Sequence, residues 1–179
     1  MVTSSFPAPL MYQASAIQWN EDYAVSAKHT PYLSNVEHRG RGDVVFIKRK
    51  ASAPQWRQAT VGERVTAVGY SPLMVPVKGT GHVKEGKVLL KNLNDGVLYS
   101  AHDGPSVVGM SGGPVFADDG SVVGITVAFV PTRYTQSVKS DLASAERVSV
   151  FMSYNEIEKE WHRFQGDIKV PAPIVASAP

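Results

Sequence analysis

The feature that most constrains the fold of this chain is the alternation of short apolar runs with turn residues along most of its length. The runs are rich in the β-branched and aromatic residues that favour strands, and they cover Tyr12–Trp19, Tyr23–Ala27, Val44–Lys48, Arg64–Tyr70, Val75–Val83, Lys87–Leu90, Gly96–Ser100, Pro114–Phe116, Val122–Phe129 and Val148–Met152. Between them lie clusters of Asn, Asp and Gly, which tolerate the positive φ angles of tight turns. Strands that recur at a spacing of roughly 8–12 residues are typical of sandwiches and barrels. The pattern therefore predicts an all-β sandwich or barrel.

One segment near the C-terminus departs from this pattern and predicts a short α-helix over residues 153–165. Ser153 and Glu156 match the capping box, in which the serine caps the helix and the glutamate reaches back to it. Behind them, three apolar residues fall on one helical face, namely Ile157, Trp161 and Phe164. We expect this apolar stripe to dock on the β core.

Composition narrows the possible functions. The 179 residues are 43% hydrophobic, which is enough for one domain with a real core at about 100–200 residues per domain. Cysteine is absent, which excludes a disulfide scaffold, a thiol nucleophile and an iron–sulfur cluster. No metal or cofactor is expected. The net charge of +2 is too small to indicate nucleic-acid binding.

Neither a membrane span nor a signal peptide is expected from the sequence. No apolar run approaches the roughly 18–20 residues of a membrane span, so no membrane partner is expected. The N-terminus has neither the basic region nor the long apolar region of a signal peptide. These features favour a cytoplasmic location, in a bacterium or in a host cell if the protein is viral.

The segment that carries the strongest chemical signal is Gly109–Pro114, which reads Gly-Met-Ser-Gly-Gly-Pro. Three glycines around one serine let the backbone turn tightly and present N–H groups into a cavity. An acyl-transfer nucleophile needs this arrangement, because its hydroxyl must be exposed beside donors for the developing oxyanion. Ser111 is therefore a candidate nucleophile. The alternative is a glycine-rich hairpin with an incidental serine.

A nucleophilic serine also needs a general base and a group that orients the base. His29 ends a strand-like run at a turn, and Asp43 opens the apolar run that begins at Val44. Two strand ends of this kind can meet in a cleft between sheets. The remaining histidines lack such a setting, and they are His38, His82, His102 and His162.

Together these blocks resemble the chymotrypsin-like (trypsin-like) serine peptidases, most nearly the compact bacterial HtrA/DegP-type and viral forms. The resemblance runs over most of residues 11–164 and keeps the family order of histidine, aspartate and serine. The blocks that carry it are Ser15–His29, Asp43–Ile47, Val61–Tyr70 and Asp103–Ile125.

The resemblance implies a domain organisation for the whole chain. Two packed antiparallel β-barrels would occupy residues 11–72 and 73–152, with the first barrel reduced, and the helix over residues 153–165 would follow them. Outside this protease domain lie an N-terminal arm at residues 1–10 and a Pro/Ala-rich tail at residues 166–179.

The resemblance also implies catalytic roles. Ser111 would be the nucleophile, His29 the general base and later the general acid, and Asp43 the residue that orients the imidazole. The backbone N–H groups of Gly109 and Ser111 would form the oxyanion hole. A serine endopeptidase with this triad would act on polypeptides without a metal or another cofactor. If the protein is viral, its substrate could be a viral or phage polyprotein, or the chain itself in cis.

Substrate preference follows from the residues that the resemblance places around the S1 pocket. These residues are Ser106, Val107, Val108, Val127, Ala128 and Phe129. Pro105 stands where a trypsin-like pocket would carry an acid, so small or apolar P1 residues are favoured. Asp103 and His102 are nearby polar alternatives, and either could bring a polar preference if it faced the pocket.

The sequence offers alternatives for the orienting acid and for the function. His29 and Asp43 are close in sequence, so either the first barrel is trimmed or another acid orients the histidine. Glu37 is the nearest such acid and Asp22 a poorer candidate. The short spacing also keeps a second function open, a catalytically silent binding or capsid-type module of the same fold, and an esterase is a third. Lys28 is expected to point to solvent.

Two weaker patterns suggest no chemistry of their own. The basic residues at 38–41 and 48–50 are expected to lie on a solvated strand edge. The fragment at residues 79–81, Gly-Thr-Gly, lacks the spacing and the following helix of a phosphate-binding loop.

Overall fold

The computed structural model describes residues 2–3, 13–71, 73, 75–90, 93, 95–131, 140–143 and 147–169. Within these residues the strands are β1 (Val2–Thr3), β2 (Gln13–Ala14), β3 (Ile17–Gln18), β4 (Tyr23–Ser26), β5 (Val36–Arg39), β6 (Val45–Lys48), β7 (Arg64–Tyr70), β8 (Pro76–His82), β9 (Val88–Leu89), β10 (Leu98–His102), β11 (Pro114–Ala117), β12 (Val122–Pro131) and β13 (Arg147–Ser153). The helices are α1 (Ser140–Ala143) and α2 (Tyr154–Lys169). Most of the arm expected at residues 1–10 and residues 170–179 of the expected tail lie outside the described residues. Residues 166–169, also expected to belong to the tail, instead continue helix α2.

The strands form two main antiparallel sheets, which confirms the predicted all-β class. The smaller sheet has four strands in the order β3-β4-β6-β5, and the larger has seven in the order β8-β7-β11-β12-β13-β10-β9. A short pair, β1 with β2, stands apart from both. Strand β7 hydrogen-bonds to β8 and β11 in the larger sheet. The change from one sheet to the other therefore falls before Arg64, earlier in the chain than the division expected near residue 72.

Helix α2 docks on the β core through the predicted stripe. Ile157 and Phe164 are buried, and Trp161 packs against the same cluster. The ring of Phe46 in β6 lies 5.2 Å from Trp161 and 5.8 Å from Phe164, measured between centroids. The same core includes residues of both main sheets, such as Phe46 and Tyr99, so burial of this apolar surface holds the helix and the two sheets together.

The chain's helices also bear on membrane association. Among the residues described above, neither helix has the length and apolar character needed to cross a membrane.

The glycines at positions 79 and 81 have a packing role. Strand β8 runs against the segment that follows β10, and a Cβ at Gly79 would lie 1.7 Å from the carbonyl oxygen of Pro105. A Cβ at Gly81 would lie 2.1 Å from the backbone nitrogen of Gly104. Only a residue without a Cβ allows backbones to approach this closely. The Gly-Thr-Gly fragment thus lets β8 support the segment that leads to Ser106.

Candidate active site

His29 and Asp43 meet because they lie at adjacent ends of neighbouring strands. His29 follows β4 and Asp43 precedes β6, and these strands pair so that Ser26 lies opposite Val45. The Nδ1 atom of His29 is 2.5 Å from Oδ2 of Asp43. The backbone N–H of His29 donates to Oδ1 of the same carboxylate at 2.8 Å. Both oxygens of the buried Asp43 are therefore committed to His29.

The paired carboxylate changes the acid–base behaviour of His29. Its hydrogen bond to Asp43 raises the pKa of His29 above the ordinary value, partial burial opposes this, and the negative charge of Asp43 adds to the increase. Glu37, the alternative partner, instead accepts a hydrogen bond from the Tyr23 hydroxyl at 2.7 Å. The structure thus brings Asp43 to His29 and directs Glu37 elsewhere.

The loop that carries Ser111 has its backbone fixed by glycines and by hydrogen bonds to β12. Gly109 and Gly112 have φ angles of 94° and 78°, in the left-handed region that favours glycine. The N–H of Gly112 donates to the carbonyl oxygen of Thr126 at 2.8 Å. A Cβ at Gly112 would lie 2.3 Å from the carbonyl oxygen of Ser15. The loop therefore requires glycine at position 112 on two separate grounds.

The backbone N–H groups of Gly109 and Ser111 have no hydrogen-bond acceptor within the described part of the chain. An N–H group without a protein acceptor is available to a ligand oxygen, which is the property that an oxyanion hole needs. The Ser111 hydroxyl donates to the carbonyl oxygen of Val127 at 3.4 Å. It makes no hydrogen bond to His29, although both side chains line one cleft. Catalytic hydrogen bonds are often formed or shortened only when substrate binds.

This cleft has a volume of about 250 Å³ and is lined by His29, Gly109, Ser111 and Thr126 together with all six residues expected around S1. Val107, Val108 and Phe129 are exposed and give it an apolar rim. Ser106 is buried and hydrogen-bonds to the Ser149 hydroxyl at 2.8 Å. Sequence reasoning missed Thr126 and Ser149, because neither residue stands out in its strand.

The two polar alternatives near the pocket are held away from the cleft. Asp103 pairs with Nζ of Lys84 at 2.6 Å and accepts the backbone N–H of His82 at 2.7 Å. His102 is buried and accepts the N–H of Gly104 at 3.2 Å. Burial lowers the pKa of His102 to about 4, so its ring is neutral at physiological pH. Neither side chain lines the cleft, and none of the lining residues that the structure describes carries a carboxylate.

Lys28 does not point to solvent, which corrects the sequence expectation. Its ammonium group donates hydrogen bonds to the carbonyl oxygens of Gly40 at 2.8 Å and Arg41 at 3.1 Å. The expectation assumed strand alternation, but β4 ends at Ser26 and Lys28 already belongs to the turn.

Comparison with known proteins gives one matching family model and several solved structures of similar fold. Residues 14–125 match the family model described as trypsin-like peptidase domain. A search of curated protein sequences found no match to this chain. Among solved structures, the Rv3671c protease from M. tuberculosis in its active form superposes with a TM-score of 0.67 at 14% identity, over 97% of this chain and 81% of that chain.

Two further structures share the fold. The MamO protease domain from Magnetospirillum magneticum has a TM-score of 0.66 at 15% identity and is covered over 93% of its length by 88% of this chain. The HtrA-type protease AlgW with a decapeptide has a TM-score of 0.66 at 14% identity, over 93% of this chain and 61% of that chain. At these identities the likeness establishes a common fold.

Proposed function

The chain belongs to the trypsin-like peptidase family and is a serine protease, and on that premise we propose that it is an endopeptidase whose nucleophile is Ser111. The observation that carries the proposal is the cleft that His29 and Ser111 both line. Asp43 is hydrogen-bonded to Nδ1 of the His29 imidazole. A nucleophile, a base and an orienting acid are the three parts that acyl transfer requires.

The proposed mechanism begins with attack of Ser111 Oγ on the carbonyl carbon of the scissile peptide bond. His29 takes the hydroxyl proton at Nε2, and the raised pKa of its imidazole favours that transfer. The carbonyl oxygen becomes an oxyanion and accepts hydrogen bonds from the N–H groups of Gly109 and Ser111. Asp43 keeps the Nδ1–H tautomer and stabilises the imidazolium.

The intermediate then collapses and completes the cycle. The carbon–nitrogen bond breaks, the leaving amine takes the proton from His29, and an ester remains on Ser111. A water molecule attacks this ester while His29 accepts its proton, and the acid product leaves as Ser111 regains a proton. No step needs a metal or an organic cofactor.

We assign the cleft beside Ser111 to the P1 side chain and propose a small or apolar preference. Most of its lining is apolar, and Val107, Val108 and Phe129 form the rim. An ionised P1 side chain would lose hydration there without meeting an opposite charge among the described lining residues.

A panel of fluorogenic peptides that differ only at P1 tests this preference. We expect Ala, Val or Leu at P1 to give a kcat/KM at least about tenfold higher than Arg, Lys or Glu. The loss of one methylene contact in an apolar pocket already lowers kcat/KM about tenfold, and burial of an unpaired charge costs more free energy than that. A preference for Arg or Lys would contradict the assignment.

The substrate we propose is a polypeptide, and a viral or phage polyprotein or the chain itself in cis is one candidate source. The cleft opens directly beside Ser111 and is rimmed by exposed apolar side chains, which suits an extended segment. Comparing the termini of the native chain with those of a Ser111→Ala chain, which cannot cleave itself, would reveal cleavage in cis, and incubating the Ser111→Ala chain with the active protein would reveal cleavage in trans.

Labelling by a fluorophosphonate probe tests the proposed function most directly. The probe reacts with a serine hydroxyl that a neighbouring base activates, so we expect one adduct on Ser111 and none on the heat-unfolded chain. Peptide mapping by mass spectrometry locates the adduct. A folded protein that takes up no probe and hydrolyses neither peptides nor esters would instead be a silent binding module, and hydrolysis of esters alone would indicate an esterase.

A further inference from the structure

The segment that ends at Asp43, residues 40–43, has the sequence Gly-Arg-Gly-Asp and will be called the Asp43 loop. It joins β5 to β6. Two glycines in four residues give such a segment wide conformational freedom, which works against precise placement of a carboxylate. Something outside the loop must therefore restrict it, and three side chains from different elements do so.

The first restraint is Lys28, the neighbour of His29. Its Nζ donates to two successive carbonyl oxygens of the loop, those of Gly40 and Arg41. A single ammonium group thus links the turn of the general base to the loop of the orienting acid.

The second restraint comes from helix α2. Glu160 is only 2% exposed, and its Oε2 accepts the backbone N–H of Arg41 at 3.0 Å. Its other oxygen pairs with Arg163. A Cβ at Gly40 would lie 3.1 Å from Oε2 of Glu160 and 2.7 Å from Cγ1 of Val44, so the glycine makes room for this contact. Burying a carboxylate is costly unless its oxygens are satisfied, and here the loop supplies one of the partners.

The third restraint comes from the seven-stranded sheet. Tyr99 in β10 is fully buried, and its hydroxyl oxygen accepts the backbone N–H of Asp43 at 2.9 Å. The same hydroxyl donates to Oδ2 of Asp95 at 2.5 Å. Because the donated proton is committed to Asp95, the Tyr99 oxygen is oriented as an acceptor toward Asp43.

We propose that Lys28, Tyr99 and Glu160 are positioning residues that act on catalysis through Asp43, and that helix α2 is thereby part of the catalytic apparatus. This inference rests on the proposed function. It explains how a separation of only 14 residues between His29 and Asp43 can give a well-placed pair. None of the three touches the cleft, so they act on the orientation of the acid and leave substrate binding unchanged.

The test compares hydroxyl and carboxylate deletions with matched controls. Tyr99→Phe keeps the ring and removes the contact to Asp43, while Tyr154→Phe removes a similar tyrosine–carboxylate bond to Glu158 away from the loop. Glu160→Leu removes the acceptor of the Arg41 N–H, and Glu160→Gln keeps an acceptor oxygen. Glu158→Gln is the control on the same helix.

We expect Tyr99→Phe to lower kcat about tenfold, as for the loss of one buried hydrogen bond. Glu160→Leu should lower it about 100-fold, as for a shift of roughly 1 Å in a catalytic group. KM should stay within about twofold of the native value, since neither residue lines the cleft. The acidic limb of the pH–rate profile should move to lower pH, because a displaced Asp43 raises the pKa of His29 less. Glu160→Gln should recover most of the loss, and both controls should match the native protein.

The proposal is overturned if Tyr99→Phe and Glu160→Leu fold normally and keep the native kcat and pH profile. If Glu160→Leu fails to fold, the comparison of Tyr99→Phe with Tyr154→Phe decides alone. A loss confined to KM or to thermal stability, with the profile unmoved, also rejects it. NMR titration of His29 separates this outcome from failure of the proposed function, because a fall in its pKa in Tyr99→Phe is measurable even in a chain that hydrolyses nothing.

Discussion

Replacing Ser111 by alanine is expected to lower kcat by about 10⁶-fold, since removing the nucleophile of a serine, histidine and aspartate unit costs nearly as much as removing the whole unit. The substitution deletes one hydroxyl whose contact within the described structure is a 3.4 Å hydrogen bond to the Val127 carbonyl. The fold should therefore be unaffected. Hydrolysis of a fluorogenic peptide with a small apolar P1 residue measures the change.

The matched control is Ser121→Ala, which removes a buried serine hydroxyl from the turn between β11 and β12. This variant should keep the native rate, because the turn lies at the far end of β11 from the Ser111 loop. A Ser111→Ala protein that retains a substantial fraction of native activity would place the nucleophile elsewhere and refute the assignment.

Much of the sheet structure is predictable from the sequence because apolar alternation and turn residues are local signals. Strand β7 begins and ends where its pattern predicts, at Arg64 and Tyr70. The predicted apolar runs do not include strand β5, and only the basic residues from position 38 onward indicate a strand edge there. It is an edge strand with polar residues such as Glu37 and Arg39, and its exposure alternates without a run of apolar side chains. Charged residues on an edge strand discourage pairing with other chains. Because they replace apolar residues, the strand has no hydrophobicity pattern from which it could be predicted.

The start of helix α2 shows a different limit of sequence reasoning. The helix begins at Tyr154, directly after the predicted cap residue Ser153. Within the described residues the reciprocal bonds of the capping box are not formed, and Glu156 pairs with Lys159 at 2.6 Å instead. A capping-box sequence can thus indicate where a helix begins even when its glutamate side chain pairs with a different residue.

In the candidate site, local sequence signals indicate some residues, whereas others are brought in only by contacts between distant parts of the chain. Ser111 is indicated by adjacent glycines, and His29 and Asp43 by their places at strand ends. The contacts of Tyr99 and Glu160 to the Asp43 loop span 56 and 119 positions along the chain. Such contacts depend on how the sheets and helix α2 pack together, which neither periodicity nor spacing reveals in a single sequence.

Replacing Asp43 by asparagine is expected to lower kcat by about 10⁴-fold, because the amide favours the wrong tautomer of His29 and cannot stabilise the imidazolium. Its pH dependence has a definite sign. His29 must be neutral to act as a base, and the bond to Asp43 raises its pKa, so native activity should rise with pH through a midpoint above about 6.5. In the variant the midpoint should fall toward lower pH, which a profile of kcat/KM records.

Glu37→Gln is the control, because Glu37 is the other acid near His29 in sequence and its carboxylate accepts the Tyr23 hydroxyl at 2.7 Å. We expect this variant to keep both the native rate and the native midpoint. If Glu37→Gln lost activity and shifted the profile while Asp43→Asn did neither, Glu37 would be the orienting acid. The 2.5 Å contact between His29 and Asp43 argues for the first result, since a buried carboxylate at that distance is the group that fixes the imidazole.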